Sequence, residues 1–503
     1  MGEGVFVGID LGTTGCKMIL IHEEGTLLDS AYIEYPIVSL LPGFAEQDPD
    51  LWWRGLCEIS QTLMAKNEYR VKNLLGIGIC GQMHTQVYLD RNNHILRNAI
   101  TWMDQRSKGL VEELSRDARL KQEVFQHTAN HISTTYTAPN ILWVKRNEPD
   151  IYQKTAKVLL AKDYIKYRLT GQMVTDYSDA VGTLLFDAVG KKWSPEMFDL
   201  FGIRSELIPE AVCSSQIIGH ISSDAFLETG LPQGLPVING CADQAATSLG
   251  SGVCRNGQVT AIVGTAGVVS TCSDKPLPDM QGRTSCWNYC LDDKWVILGV
   301  MQTAAESLHW FKNAFEKDKE SSSALFEIYN REVAKIPDGS EGLIFLPYLM
   351  GERTPHWDAD ARGVFYGISI NHHKYHFIRA VMEGVGFGLK DNLESIESLG
   401  IAVTEMRLLG GGSKNLIWRD IMAKILQKRL ITIKVPENGA LGCSILCGMA
   451  LGIYSDVESA ISKLVKVDSE MYHRDGSPVY QKNYQIYKEL YCCLKDLYKK
   501  STV

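Results

Sequence analysis

Three glycine-rich turns and a few carboxylates carry the chemistry open to this chain. Asp10-Leu11-Gly12-Thr13-Thr14-Gly15 ends an apolar run in a carboxylate and follows it with small residues, with Lys17 close behind. Backbone N–H groups in such a turn can cup an anion. Asp10 can hold Mg²⁺ through water, because that ion keeps most of its hydration and needs only one or two carboxylates. Gly264-Thr265-Ala266-Gly267 offers the same turn in the second half, so two hairpin turns can hold one polyphosphate between them. A third turn, Gly410-Gly411-Gly412-Ser413-Lys414-Asn415, stands between a strand and a helix and lets a flat base and ribose approach bare backbone. Each turn alone is equally a ligand-free hairpin, or a helix cap with Ser413 or Asn415 at the capping position. The recurrence of the first turn in both halves is what favours phosphate. No GxxxxGK[ST] occurs, which argues against a P-loop nucleotidase.

Gly76, Gly78 and Gly81 spell GxGxxG, a dinucleotide fingerprint. That motif needs a strand, a tight turn and then a helix facing the pyrophosphate. Here the glycines lie inside the apolar run Leu74 to Cys80, and β-branched and aromatic residues follow up to the turn at Asp90 to Asn93. The pattern is strand, bend, strand, turn. A glycine in a strand also marks close approach of a ligand to the backbone, so the stretch is kept as a site without a dinucleotide.

The elements that must position these groups fit a large soluble chain. With 503 residues, two large domains or three small ones are expected. Hydrophobic content of 45% and charged content of 22% are those of a globular protein. A net charge of −8 disfavours nonspecific nucleic-acid binding. The thirteen cysteines form no CxxC pair and mostly sit in apolar surroundings, such as Cys16, Cys80, Cys241, Cys443 and Cys447, which suits buried reduced thiols in a cytoplasmic protein. "MGEGVFVGID" runs directly into a strand with no signal-peptide pattern, and Leu441 to Tyr454 is too short to span a bilayer, so no membrane partner is expected.

"VFVGIDLGTTGCKMILIHEEGTLLDSAYIEY" reads as a three-stranded meander, and "GQVTAIVGTAGVVSTCSD" with "KWVILGV" repeats it later. Helices are expected at Asp50 to Lys66, Ala138 to Arg146 and from Ser178 onward, with a strand at Lys157 to Leu160. Near the end come a strand at Leu430 to Val435, a helix from Ala440, and an amphipathic helical tail after Asp456. Such alternation signals α/β domains. The boundaries expected are 1–250, 251–455 and a helical extension 456–503. Tyr480, Tyr484, Tyr487 and Leu490 lie at helical spacing and read as a packing face, with a homodimer left open.

Eight segments in order resemble one family: "GIDLGTTGCK", "GQMH", "WMDQR", "KDYIKYRLTG", "GCADQAA", "YLMGERTPHWDADARGVFYG", "LLGGGSKNLIWRDIMA" and "ALGCS" are similar to those of the FGGY carbohydrate kinases, the xylulokinase branch above all. The resemblance implies an α/β protein of two actin-like (ribonuclease-H-like) domains facing a central cleft. It implies a sugar bound mainly by the N-terminal domain, ATP bound mainly by the C-terminal one, and Mg²⁺. On the matching segments it makes Asp243 the base that takes the acceptor hydroxyl's proton, with Gln244 beside it, and Asp10 a second catalytic carboxylate. Asp10 and Asp243 become the metal-facing pair. Met83, His84, Trp102 and Asp104, with Asp243 and Gln244, become the sugar contacts. Gly12, Thr13, Thr14, Lys17, Gly264, Thr265, Gly410, Gly411, Gly412 and Asn415 become the ATP contacts. The residues agree with these roles: phosphoryl transfer asks for positioning, charge neutralisation and one proton acceptor. Taken alone, His84 near an apolar strand reads more readily as a structural histidine, and Asp104 with Arg106 equally as a surface ion pair.

Two departures sit beside the sugar. The xylulokinase pattern continues Met-His-Gly and has Trp-Asn-Asp, whereas Thr85 follows His84 here and Met103 separates Trp102 from Asp104. Losing one hydroxyl contact can change discrimination greatly. Ribulose, L-xylulose, sedoheptulose, a polyol or gluconate therefore stay open as acceptors. An ATP-responsive scaffold of the actin-like superfamily is the non-kinase alternative, and sugar-stimulated ADP release separates the two.

Overall fold

The computed structural model describes residues 3–317 and 323–501; residues 1–2 and 502–503, the outer limits of the expected terminal domains, lie outside that range. Two seven-stranded sheets repeat one plan. In the first, strands Val5–Leu11, Gly15–His22 and Leu27–Glu34 form the antiparallel meander expected, and Val5–Leu11 pairs in parallel with Leu74–Gly81. In the second, Gln258–Val263, Gly267–Ser273 and Trp295–Met301 form the meander, and Gln258–Val263 pairs in parallel with Glu405–Leu409. A further strand, Ser285–Asn288, extends the second meander.

The first strand is apolar on both faces because both faces are covered. Val5, Val7, Ile9 and Leu11 pack with Trp52, Leu56 and Leu63 of helix Pro49–Lys66. Phe6 points the other way, into a different core, and strand alternation sends Gly8 and Asp10 to that same face. There helix Asn438–Ala450, which belongs to the second half of the chain, lies on the first sheet. A Cβ on Gly8 would meet the Ala440 carbonyl at 2.2 Å, and one on Gly78 the Cys443 carbonyl at 2.3 Å. Gly76 meets Cys447 Sγ in the same way at 2.8 Å. The GxGxxG glycines are therefore explained by helix packing: Gly76 and Gly78 admit a helix to the strand backbone, where a ligand was expected, and Gly81 packs on the stem of Lys162.

The exchange is reciprocal. Helix Asp243–Gly250, the last element of the first half, packs on the second sheet through Ser248, whose hydroxyl lies 3.2 Å from Thr260 Oγ1 and 3.1 Å from Ser270 Oγ. The two exchanged helices touch backbone to backbone. A Cβ on Gly442 would sit 2.0 Å from the Ala246 carbonyl, and one on Gly250 1.9 Å from that of Asn438. No larger residue fits either crossing point without displacing a helix.

Two expectations need correction. The tail after Asp456 is not helical throughout: Val457–Leu464 is followed by strand Val467–Met471, which pairs antiparallel with Arg429–Ile433 at the edge of the second sheet. An edge strand needs few apolar residues, so "VDSEM" carried little strand signal. The helix expected from Ser178 onward is a single turn, Tyr177–Ala180, that passes into a 3₁₀ turn and ends at Leu184 with a left-handed backbone (φ 61°). The last helix, Pro478–Ser501, does use its tyrosines as a packing face. Tyr480, Tyr484 and Tyr487 are buried, and the Tyr484 hydroxyl donates to Asp391 Oδ1 at 2.5 Å.

Candidate active site

Strand register brings the carboxylates together. Asp10 lies beside Cys80, Cys80 beside Cys241, and Gly81 beside Ala242, at the carboxyl ends of parallel strands. One residue further on, Asp243 opens its helix, and Gly439 at the start of the crossing helix abuts Asp10: a Cβ there would be 2.5 Å from Asp10 Oδ2. Carboxyl ends of parallel strands are where open α/β sheets bind ligands, and two helix N-termini add positive dipole ends.

Both carboxyls are held above the usual range. Burial raises Asp10, against the Cys80 thiol and Lys17, which lower it. Burial raises Asp243 further, and the charges of Asp10 and then Asp179 add to it. A raised carboxyl is the more basic one, which suits a proton acceptor. Lys17 gives only part of its charge to this centre, since Glu437 lies 3.5 Å from its ammonium. Gln244, next to Asp243, has a buried Oε1 with no hydrogen-bond partner.

The centre fits the Mg²⁺ that the resemblance implies. Its donors are hard oxygens, and Lys17, shared with Glu437, only partly offsets two mutually repelling carboxyls. No cluster of three or more His, Cys, Asp or Glu able to hold a metal occurs among the described residues. An ion bound through one or two carboxylates, phosphate oxygens and water needs none.

The histidine side is built from residues far apart in sequence. His84 is 4% exposed with φ 66°, a left-handed conformation that costs a non-glycine residue roughly 1–3 kcal/mol and clusters at functional sites. Its Nδ1 lies 2.9 Å from the Gly182 carbonyl, so Nδ1–H donates there and Nε2 is left as an acceptor. Gly182 must be glycine, because a Cβ would lie 2.5 Å from the ring. Burial pulls His84 down to about 4, so the ring is neutral at physiological pH. Met83 is buried beside it. Tyr136 and Trp287 stand edge-on to the ring at 5.2 and 5.8 Å, and both bond Asn130 Oδ1, at 3.1 and 2.9 Å. Arg353 also acts on both His84 and Tyr136. Trp287 and Arg353 come from the second half, so both halves wall this side. The residue reading missed Asn130, Tyr136, Trp287 and Arg353. Only "GERTP" gave a signal, as a motif without a role.

Trp102 donates through Nε1 to Thr13 Oγ1 at 2.8 Å, and Gln47 ties the Thr13 carbonyl to Gln82 with bonds of 2.6 and 2.8 Å. The Gly-Thr turn and the histidine strand are thus one assembly. Thr85, one of the two departures, turns its hydroxyl back to Gln82 Oε1 at 3.2 Å. Asp104 does not face a ligand. Oδ1 accepts from Arg106 N and Nε, both at 2.8 Å, and Oδ2 from Ala45 N at 2.6 Å and Arg106 NH2 at 2.8 Å. All its lone pairs are spent on bracing the loop, so its expected role as a sugar contact gives way. The pair is also buried rather than superficial.

On the second sheet, Ile262 pairs with Leu409, which sets Gly264 and Thr265 beside Gly410 to Gly412. A Cβ on Gly410 would be 2.7 Å from the Val263 carbonyl and one on Gly412 2.5 Å from its side chain, whereas Gly411 is open. Thr14, Thr265, Gly410 and Gly411 are exposed. Asn415 is a helix cap, accepting from Trp418 N at 3.0 Å and donating to Asn330 at 2.6 Å, so its side chain is already committed. Glu352 braces the second turn. It accepts from Gln302 N at 2.7 Å, and the same loop donates from Ala304 and Ala305 to the Thr265 and Gly264 carbonyls at 2.8 and 2.7 Å. A concavity of about 710 Å³, lined by Met64, Glu68, Lys72 and Pro236, lies at the opposite end of the strands, away from this chemistry.

Two family models match the chain. The model described as FGGY family of carbohydrate kinases, N-terminal domain, matches residues 5–250, and the C-terminal domain model matches 259–451. The chain is 33% identical over 492 residues to a xylulose kinase of Bacillus subtilis (strain 168), covering 98% of this chain and 97% of that one. It superposes on a ligand-bound xylulose kinase from Lactobacillus acidophilus with a TM-score of 0.93 at 27% identity, covering 99% of this chain and 100% of the other. A structure described as gluconate kinase from the same organism gives the same TM-score of 0.93, identity of 27% and coverage of 99% and 100%.

Proposed function

This chain belongs to the FGGY family of carbohydrate kinases, built as two actin-like domains, and we propose that within it the chain phosphorylates a terminal hydroxyl of a ketopentose, D-xylulose first. The observation that carries the reading is the pair of half-buried, mutually repelling carboxyls Asp10 and Asp243 at the meeting of two helix N-termini, joined through the 80–84 segment to a neutral His84.

In this reading Asp243 accepts the proton of the attacking hydroxyl on its carboxylate, and Gln244 Oε1 gains a partner in the acceptor. His84 Nε2 accepts a hydrogen bond from a sugar hydroxyl, with its tautomer set by Gly182. Trp102 covers an apolar sugar face, and Trp287 and Arg353 close that side from the other domain. The turns at Gly12 to Lys17, Gly264-Thr265 and Gly410 to Gly412 hold the nucleotide. ATP supplies the phosphoryl group; Asp10 and Asp243 are the residues that would hold Mg²⁺, which would supply charge neutralisation for the phosphates. Exclusion of water by the two domains matters because Asp243 would otherwise serve water and the enzyme would be an ATPase. The thirteen free thiols support a reducing compartment such as the cytoplasm.

D-Xylulose comes first because Thr85, the larger residue beside the histidine, bonds within its own turn and does not reach for a ligand. The test is ADP release with ATP and Mg²⁺ across D-xylulose, L-xylulose, D-ribulose, L-ribulose, sedoheptulose, glycerol and gluconate. We expect D-xylulose to give the highest kcat/KM by about tenfold or more, equal to about 1.4 kcal/mol. A higher value for gluconate or ribulose replaces the acceptor and keeps the chemistry. No stimulation by any acceptor removes the kinase reading.

A further inference from the structure

Helix Ala161–Thr170 buries two lysines, Lys162 and Lys166, beside three carboxylates and behind the proposed base. Lys162 Nζ lies 2.8 Å from Asp163 Oδ1, 2.8 Å from Asp176 Oδ1 and 2.7 Å from Asp179 Oδ2. Asp176 uses its other oxygen as a hub: Oδ2 accepts the Ser178 hydroxyl at 2.5 Å, the Ser178 N–H at 2.9 Å and the Ser214 hydroxyl at 2.9 Å. The Ser178 hydroxyl in turn accepts from the backbone N–H of Ala242 at 2.9 Å. Ala242 immediately precedes Asp243 and caps its helix with a non-helical backbone (φ −55°, ψ 144°).

We propose that the Ser178 hydroxyl is a positioning group for phosphoryl transfer, joining the buried Lys162–Asp176 ion pair to the peptide that aims Asp243. The inference rests on the reading of Asp243 as the base. A fixed cation holds Asp176, Asp176 fixes the direction of the Ser178 hydroxyl, and the oxygen of that hydroxyl holds the Ala242 N–H. The base therefore starts its helix from one defined peptide orientation. Bonds to an ionised acceptor are roughly twice as strong as neutral ones, which makes the Asp176 end the anchor. Misplacement of a reacting group by about 1 Å can cost on the order of 10²-fold in rate.

The test is steady-state kinetics of Ser178→Ala and Ser178→Thr in the full-length enzyme, with thermal unfolding and Asp243→Asn alongside. Ser178→Ala is expected to lose about 10-fold to 100-fold in kcat with both KM values unchanged and its unfolding midpoint near that of the parent. Ser178→Thr keeps the hydroxyl and should recover most of that loss. A parental kcat in Ser178→Ala overturns the proposal. So does a loss shared with both KM values and the unfolding midpoint, or equal damage in Ser178→Thr, since each makes Ser178 a packing residue. A parental rate in Asp243→Asn would instead remove the reading of the base and overturn the proposal with it, whatever Ser178→Ala does.

Discussion

Asp243→Asn is expected to lose roughly 10²–10⁴-fold in sugar phosphorylation, the span contributed by general acid–base groups, while still binding nucleotide. It is also expected to be more stable than the parent at neutral pH. Burial, with Asp10 and Asp179 adding to it, holds the folded carboxyl above its unfolded value. The folded state then binds the proton more tightly, so the parent loses stability as pH rises from the ordinary carboxylate range toward the folded pKa. Asparagine removes that penalty. Its unfolding midpoint should exceed the parent's by about 2 °C at pH 7.5, and the gap should close near pH 4. A base elsewhere would leave transfer intact. A carboxyl stabilised by its surroundings would make the variant less stable instead.

Lys162→Met carries the largest expected loss of stability. Burial alone would lower the Lys162 ammonium, but Asp163, Asp176 and Asp179 outweigh it and hold it well above its usual value. Removing one partner from a buried ion network costs about 3–5 kcal/mol, because the charges left behind have no water. Here three carboxyls, each no more than 1% exposed, would remain with Lys166 alone, which burial already draws down to about 8. The variant should be poorly soluble at pH 8. Carboxyls without their cation have raised folded values, so stability should improve as pH falls toward 5. Equal unfolding midpoints for variant and parent at pH 8 would show that the cluster is not ionised as described.

Local patterns made the two meanders, the strand at Lys157–Leu160, the helix at Pro49–Lys66 and the tyrosine face of the last helix legible, because each repeats with the period of its element. What was not legible depends on approach between distant segments. Gly76 and Gly78 read as a ligand floor because the chain gives no sign that residues 438–450 lie against them. Asp104 read as a sugar contact because Ala45, which takes one of its oxygens, is 59 positions away. Trp287 sits by His84 only once the two domains face each other. "KDYIKYRLTG" was recognised as a segment, yet nothing in it says that both lysines are buried.

The most direct test of the central claim is phosphorus NMR of the product formed from ATP, Mg²⁺ and D-xylulose. A single new phosphomonoester signal is expected, split by the two CH₂ protons that a terminal ester requires and lost when Asp243→Asn replaces the parent. Inorganic phosphate as the only new signal besides those of ADP, or an ester signal split by a single proton from a secondary alcohol, would contradict that claim.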